Sequence, residues 1–224
     1  FPTRRSSDLS QDWLVEWKYD GIRAQLVKRD GQCWIWSRGE ELVTERYPEI
    51  VAAARALPDG TVLDGEVVAW KDDALAPFQL LQQRIGRKTL SKKVLADAPV
   101  AFIAYDLLEW QGADWREQPQ HARRAGLEAA VQGTPLQLSP LVPGGDWAAL
   151  AATREQSRER RVEGFMLKHR EARYGSGRTK SDGTWWKWKI APLSVDAVLV
   201  YAQAGHGRRA SVYTDYTFAV WNRA

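Results

Sequence analysis

The chain has 224 residues, 44% of them hydrophobic, so it can bury a substantial core and is not intrinsically disordered. Its 32 Lys and Arg against 28 Asp and Glu leave a net charge of +4, too small an excess to identify a polyanionic partner. A single cysteine, Cys33, excludes disulfides within the chain and zinc sites built on cysteines. No apolar run reaches the roughly 20 residues of a membrane span, which predicts a cytoplasmic protein without membrane contact.

Positive charge is concentrated towards the C-terminal part of the chain. Residues 154–190 contain 11 Lys and Arg but only 5 Asp and Glu, whereas the rest of the chain sums to a charge of −2. Several of the 12 Trp lie among these cations, as in the sequence WWKWK at residues 185–189. Aromatic side chains interleaved with cations suit a surface that binds nucleotides or a phosphate backbone.

The first third of the chain predicts a β-hairpin, a helix and a strand. Apolar and polar residues alternate over residues 14–36, with an Asp-Gly turn at residues 29–32. Residues 44–57 have helical spacing, with Thr44 as the N-cap. Residues 60–70 then return to a strand pattern.

The remaining elements alternate in type. They are predicted as a helix at 78–86, a strand at 100–110, a helix at 116–131, a strand at 136–141, a helix at 147–160, and strands at 163–170 and 185–190. After Pro192 a strand, a Gly-containing turn and a second strand begin an all-β region. We therefore expect a non-native leader at 1–9, one domain at 10–191 and the truncated start of another at 192–224.

Six short polar motifs interrupt the predicted strands or lie at their ends. In chain order they are Lys18-Tyr19-Asp20-Gly21-Ile22-Arg23, Ser37-Arg38-Gly39, Asp64-Gly65-Glu66, Tyr105-Asp106, Glu163-Gly164-Phe165-Met166-Leu167-Lys168 and Lys187-Trp188-Lys189. Each alone has a structural explanation, such as a solvated strand lysine or a turn. Together and in this order they resemble the covalent nucleotidyltransferase superfamily, and most closely the ATP-dependent DNA ligases, over about residues 13–190.

The chemistry of that superfamily explains these residue types. A lysine amine attacks the α-phosphorus of ATP only when it is neutral, so its pKa must be lowered by burial or neighbouring positive charge. Charge on the phosphate oxygens must be neutralised during the transfer by lysines and a divalent metal. Carboxylates such as Glu66 and Glu163 are ligands that Mg²⁺ accepts.

The resemblance implies a role for each matching residue. Lys18 would form the lysyl-AMP intermediate, with Tyr105 and Met166 on opposite faces of the adenine and Lys187 and Lys189 on the α-phosphate. The complete implied sets are Glu16, Arg23, Arg38, Glu66, Tyr105, Met166, Lys187 and Lys189 for the nucleotide, Glu66 and Glu163 for the metal, and Arg38, Arg173, Arg178 and Lys180 for DNA. Tyr105 and Met166 could equally fill a β core, and the two lysines could form the solvated face of a strand.

The resemblance also implies a fold and partners. The fold would be α+β: an ATP-grasp-like nucleotidyltransferase domain of antiparallel sheets flanked by helices, followed by the beginning of an OB-fold barrel. The substrates would be ATP, with Mg²⁺ or Mn²⁺, and nicked double-stranded DNA, in a monomeric bacterial enzyme of DNA repair, replication or recombination. Two alternatives remain: an RNA ligase or mRNA-capping guanylyltransferase, and a non-catalytic nucleic-acid-binding fragment using the basic, Trp-rich part alone.

Overall fold

The computed structural model describes residues 10–87, 90–175, 185–192 and 194–222. The strands are β1 (Trp13–Tyr19), β2 (Ile22–Arg29), β3 (Gln32–Ser37), β4 (Thr61–Lys71), β5 (Ala74–Leu75), β6 (Val100–Trp110), β7 (Ala113–Asp114), β8 (Gln137–Leu138), β9 (Val162–His169), β10 (Trp186–Lys189), β11 (Val198–Ala204) and β12 (Tyr213–Ala219). The helices are α1 (Pro48–Ala53), α2 (Phe78–Gln82), α3 (Lys92–Asp97), α4 (Gln120–Val131) and α5 (Trp147–Arg154). Short 3₁₀ helices lie at Ser10–Asp12, Thr44–Arg46, Ala54–Ala56, Glu155–Ser157 and Gly207–Arg209.

The larger sheet has the strand order β3-β2-β4-β6-β7, with β5 paired to β4 and β8 paired to β6. Every pairing in it is antiparallel except that of β6 with β8. The predicted turn between β2 and β3 is confirmed, since Asp30 and Gly31 both have positive φ angles, of 49° and 70°. One face of this sheet packs on the helices through a core that includes Leu26, Leu63 and Phe102.

The smaller sheet has the order β1-β9-β10, and both pairings are antiparallel. Side chains alternate across a strand, so the apolar set Val15, Phe165 and Leu167 enters a second core. The intervening positions hold polar residues, including Glu16 and Lys168. The strand pattern of the sequence therefore divides this sheet into a core face and a face that is free to bind a ligand.

A β-bulge on β9 lies directly opposite Lys18. Trp17 pairs with Phe165 and Tyr19 with Val162, so the single residue Lys18 faces two residues, Glu163 and Gly164. Gly164 has a φ of 129°, a conformation that L side chains rarely adopt. A Cβ atom there would overlap the Trp188 carbonyl oxygen on β10. The glycine of the motif is thus required by the backbone at the bulge.

We expect Gly164→Ala to lower the free energy of unfolding by about 2 kcal/mol or more, because the side chain meets both an unfavourable φ and the β10 backbone. Urea denaturation followed by circular dichroism measures the change. Gly144→Ala is the matched control, since a Cβ at Gly144 meets no atom within 4 Å. Equal stability of the two variants would contradict this role of the bulge.

The helices differ from the predictions at several ends. Thr44 is not an N-cap: its Oγ1 accepts a hydrogen bond from the Ile35 backbone N–H at 3.0 Å, and the α-helix begins only at Pro48. Proline disfavours the helical conformation at the preceding residue and suits the first helical position, which explains the late start. α4 likewise begins after Pro119, and α3 was not predicted. None of the helices in the described ranges is long and apolar enough to cross a membrane.

The pattern of contacts divides the chain into the units Phe1–Ile190 and Ala191–Ala224. Within the second unit β11 and β12 form an antiparallel pair. Large apolar side chains on this hairpin are exposed, among them Tyr201, Tyr213 and Phe218. Both strands therefore follow the predicted all-β pattern of this region.

Candidate active site

A cleft of about 280 Å³ is lined by side chains from both sheets of the first unit. The lining residues are Glu16, Trp17, Lys18, Tyr19, Arg23, Arg38, Glu66, Tyr105, Met166, Lys168, Tyr174, Gly175, Trp185 and Lys187. The smaller sheet contributes the polar face of β1, β9 and β10, and the larger sheet contributes the start of β2 and the middle of β4 and β6. The cleft is therefore built from strands that are far apart in the sequence.

Lys18 lies in this cleft at the bulge and is held by an ion pair. Its Nζ contacts Glu163 Oε2, and Lys189 Nζ contacts Glu163 Oε1 at 2.8 Å. Burial would raise the pKa of Glu163, but the hydrogen bonds from the two lysines outweigh it and lower that pKa. One carboxylate thus orients the lysine and draws a second lysine towards it.

Glu66 is a partly buried carboxyl group in the same cleft. Tyr105 Oη donates a long hydrogen bond of 3.4 Å to its Oε2. Burial raises the pKa of Glu66 to about 7, against the opposing effect of the Lys18 charge. The group is therefore poised to change its charge near neutral pH when a cation or a ligand enters.

We expect Glu66→Gln to remove a pH dependence of stability. The pKa of Glu66 is higher in the folded state, at about 7, than its ordinary value of 4.5, so the stabilisation is present at acid pH and is lost as the pH rises through 7. The unfolding free energy of the wild type minus that of the variant should fall by about 2–3 kcal/mol between pH 5 and 8. Urea titrations at both pH values measure it.

Glu163→Gln is the matched control for the Glu66 prediction. The pKa of Glu163 is lowered, so the carboxylate is already largely charged at pH 5 in both the folded and the unfolded chain. The unfolding free energy of the wild type minus that of Glu163→Gln should therefore stay constant between pH 5 and 8. A flat difference for Glu66→Gln as well would contradict the raised pKa of Glu66.

A buried ion pair forms the floor of the cleft. Lys168 Nζ donates to Glu16 Oε1 at 3.0 Å and to the Tyr105 carbonyl oxygen at 2.6 Å, and both charged residues are only 1% exposed. The ammonium also lies 4.3 Å from the Trp185 ring centroid and 4.8 Å from that of Tyr105. Lys168 thereby joins β1, β6 and β9 and holds Glu16 at the cleft wall.

Arg23 stands at the side of the cleft on β2. Its Nε and Nη2 form a two-point contact with the carboxylate of Asp64, at 3.2 and 2.6 Å. Burial would lower the pKa of Arg23, but the hydrogen bonds to Asp64 raise it above its ordinary value. The Arg23 carbonyl also accepts the Arg38 backbone N–H at 3.1 Å, which places Arg38 beside it.

Positive charge dominates the open side of the cleft. Lys187 pairs in register with Met166, and both side chains line the cleft. Burial and the charges of Lys18 and Arg38 lower the pKa of Lys187. Cations that lie close enough for their charges to lower the pKa of Lys187 create a site for a polyanion such as a nucleoside triphosphate.

The structure brings together most of the residues that the sequence singled out. Eight line the cleft: Glu16, Lys18, Arg23, Arg38, Glu66, Tyr105, Met166 and Lys187. Glu163 contacts Lys18 and Lys189 contacts Glu163, but neither of these two residues lines the cleft. Arg173 is exposed and pairs with Glu117 at 3.0 Å, so a DNA contact would have to compete with that pair. Arg178 and Lys180 lie outside the described residues.

Lys168, Tyr174 and Trp185 line the cleft although the sequence assigned them no role, and Asp64, the partner of Arg23 and Tyr174, was not assigned one either. For two of these residues, Asp64 and Trp185, the sequence carries a signal that indicates their position. Asp64 lies two residues before Glu66 on one strand, and Trp185 lies two residues before Lys187, so each pair shares a face. Lys168 ends a motif that the sequence had already marked. Tyr174 follows β9 in a loop, and no pattern in the sequence indicates its position.

The fold is the one found in DNA ligases. A mycobacterial DNA ligase D complexed with ATP and MES superposes with a TM-score of 0.67 at 27% identity, over 94% of this chain and 62% of that one. The ligase domain from M. tuberculosis LigD gives a TM-score of 0.63 at 31% identity, over 79% of this chain and 54% of that one. The mixed α/β fold with antiparallel sheets is thus that of a ligase nucleotidyltransferase domain.

Sequence comparison makes the assignment specific. The family model described as "ATP dependent DNA ligase domain" matches residues 5–189. A protein named "Probable DNA ligase" from Opitutus terrae is 35% identical over 95% of this chain, and the DNA ligase of Aeropyrum pernix is 35% identical over 93%. This chain belongs to the ATP-dependent DNA ligase domain family. It spans 24% and 36% of the length of those two relatives.

Proposed function

We propose that this chain is the catalytic part of an ATP-dependent DNA ligase, which seals nicks through a lysyl-AMP intermediate and then a DNA-adenylate. The observation that carries the proposal is the position of Lys18, held in a nucleotide-sized cleft by Glu163 and surrounded by cations. A non-catalytic nucleic-acid-binding fragment has no need of a lysine so placed. No contact among the described cleft residues favours an RNA ligase or a capping guanylyltransferase.

The first step is a phosphoryl transfer. The neutral Lys18 amine attacks the α-phosphorus of ATP, a P–N bond forms, the bond to the bridging oxygen breaks, and pyrophosphate leaves while the amine loses a proton. Lys187 and Lys189 balance the charge of the α-phosphate oxygens. Burial and the charges of Lys18 and Arg38 lower the pKa of Lys187, so these cations lie close enough together to act on one phosphate group.

The later steps use the same cleft. The 5′-phosphate of the nick, guided by Arg38, displaces Lys18 from the AMP and forms a phosphoanhydride. The 3′-hydroxyl then attacks that 5′-phosphate, a phosphodiester forms and AMP leaves. Tyr105 and Met166 hold the adenine between them throughout, since both line the cleft.

The family uses a divalent metal, and we propose Mg²⁺ or Mn²⁺ for this chain. The described residues contain no group of three His, Cys, Asp or Glu that could hold a metal ion. Mg²⁺ commonly takes only one or two carboxylates and completes its shell with water and substrate phosphates. Glu66 and Glu163, which both interact electrostatically with Lys18, fit that donor set. The metal supplies charge neutralisation at the phosphates when it is bound.

The remaining partners follow from the same proposal. We infer that residues 192–224 begin an OB-fold barrel, since an antiparallel hairpin with exposed apolar side chains is a suitable first part of one. The DNA contacts would come from Arg38 and Arg173, with Arg178 and Lys180. We propose a monomer that acts on nicked duplex in the bacterial cytoplasm, in DNA repair, replication or recombination.

The test is covalent labelling of the full 224-residue chain with α-labelled ATP and MgCl₂. We expect one labelled protein band whose label is lost in acid and kept in alkali, as a P–N bond requires. Labelled GTP should give no band, and β- or γ-labelled ATP should give none. Absence of label across divalent metals and from pH 6 to 9, or preferential labelling by GTP, would overturn the proposal.

A further inference from the structure

We propose that Tyr174 is a positioning residue, whose hydroxyl holds the Arg23 guanidinium in the nucleotide cleft through Asp64. The proposal rests on the proposed function, because it concerns how that cleft binds ATP. Tyr174 lies beyond the end of β9 and outside the motifs of the sequence. Its assigned role is to orient a cation and not to touch the reacting atoms.

The three side chains form a closed hydrogen-bonded set. Tyr174 Oη donates to Asp64 Oδ2 at 2.8 Å and accepts from Arg23 Nη2 at 3.1 Å. Arg23 in turn contacts both carboxylate oxygens of Asp64, which is fully buried. Because a buried carboxylate needs donors for its lone pairs, Asp64 fixes both of its partners.

Tyr174 is itself held by contacts that involve neither Arg23 nor Asp64. Its backbone N–H donates to the Arg116 carbonyl at 2.9 Å, and Arg123 donates to the Ala172 carbonyl at 3.1 Å. Its ring lies 5.9 Å from that of Trp185 in an edge-to-face arrangement. The hydroxyl therefore approaches Asp64 from a fixed frame and does not depend on Arg23 for its own position.

Arg23 needs such a restraint because its side chain lines two clefts and can turn into either of them. The Arg23 side chain is 40% exposed in its ion pair with Asp64. Arg23 and Tyr174 line the nucleotide cleft and also a second cleft on the larger sheet, beside Gln25, Val62 and Glu109. Loss of the hydroxyl leaves Asp64 one donor short and lets the guanidinium turn towards the second cleft, where Glu109 lies in an ion pair with Arg29. Nη1 has no hydrogen-bond partner among the described residues and is available for a ligand oxygen.

The test is Tyr174→Phe in the full chain, which removes one oxygen and keeps the ring. The rate of self-adenylylation is measured against ATP concentration. The ATP concentration at half-maximal rate should rise about tenfold, as expected for one hydrogen bond to a charged group, with the maximal rate changed less than about twofold. Tyr47→Phe is the matched control, since Tyr47 is a buried core tyrosine away from the cleft, and it should leave both values unchanged.

A double-mutant cycle with Arg23→Lys separates positioning from general damage to the fold. If the hydroxyl acts through the guanidinium, Tyr174→Phe should add less than about twofold in the Arg23→Lys background. ATP binding followed by tryptophan fluorescence supplies the same cycle where labelling of Arg23→Lys is too slow to fit.

Three results would overturn the role of Tyr174: an unchanged ATP dependence in Tyr174→Phe, a fully additive effect in the cycle, or a loss confined to the maximal rate. Each leaves the proposed function standing, since wild-type labelling tests that function separately. Failure of the wild type to label would instead remove the proposed function.

Discussion

Replacement of Lys18 by alanine should reduce self-adenylylation by at least about 10³-fold, because the only atom that forms the bond to phosphorus is removed. Lys18→Arg should fail equally, although it keeps the positive charge beside Glu163, since a guanidinium stays protonated at every accessible pH. The labelling assay with α-labelled ATP measures both variants. The pair of substitutions therefore separates nucleophilic chemistry from electrostatic attraction of ATP.

Lys71→Ala is the control for the Lys18 variants. Lys71 lies exposed at the end of β4 and does not line the cleft. It should label at the wild-type rate, and circular dichroism should report the same fold for all four proteins. Label retained by Lys18→Ala would place the adduct on another residue and contradict the assignment of the nucleophile.

Replacement of Asp106 by alanine should have the largest effect on stability. Asp106 and Arg123 are both fully buried and form a two-point ion pair, with distances of 2.8 and 3.0 Å. Removing the carboxylate leaves the Arg123 charge buried without its partner, which typically costs 3–5 kcal/mol. Urea denaturation should show a fall in unfolding free energy of about that size.

The buried pair also ties the cleft to the rest of the fold. Arg123 on α4 donates to the carbonyls of Gln118 and Ala172, so it connects the helix to the segment that carries Tyr174. Glu117→Gln is the matched control: it breaks the exposed ion pair with Arg173 and should leave stability unchanged. If the Asp106 variant proved as stable as this control, the pair would not contribute as described.

Periodicity predicted most of the strands because local patterns determine them. β4 and β6 lie almost where the alternation of apolar residues placed them, and the Asp30-Gly31 turn follows from the positive φ angles that both residues tolerate. Helix ends were less predictable. Pro48 and Pro119 delay two helices, and Thr44 bonds to β3 in place of the helix it was expected to cap.

The sequence by itself determined the kind of protein. Six ordered motifs indicated a nucleotidyltransferase of the ligase type through their resemblance to that family, whose chemistry needs a nucleophilic lysine, carboxylates and phosphate-binding lysines. Alternation along the strands further indicated that Lys187 and Lys189 share a face. The register of β10 on β9 agrees with this, since the two lysines pair with Met166 and Gly164, two residues apart on β9.

Only the tertiary structure decided how those residues meet. The bulge at Gly164 turns Glu163 towards Lys18, and the pairing of β1 with β9 brings Glu16 to Lys168 across 152 residues of chain. Tyr174 reaches Asp64 from a loop without periodicity. These contacts depend on packing between distant strands, and a pattern confined to neighbouring residues carries no information about which distant groups share a buried site.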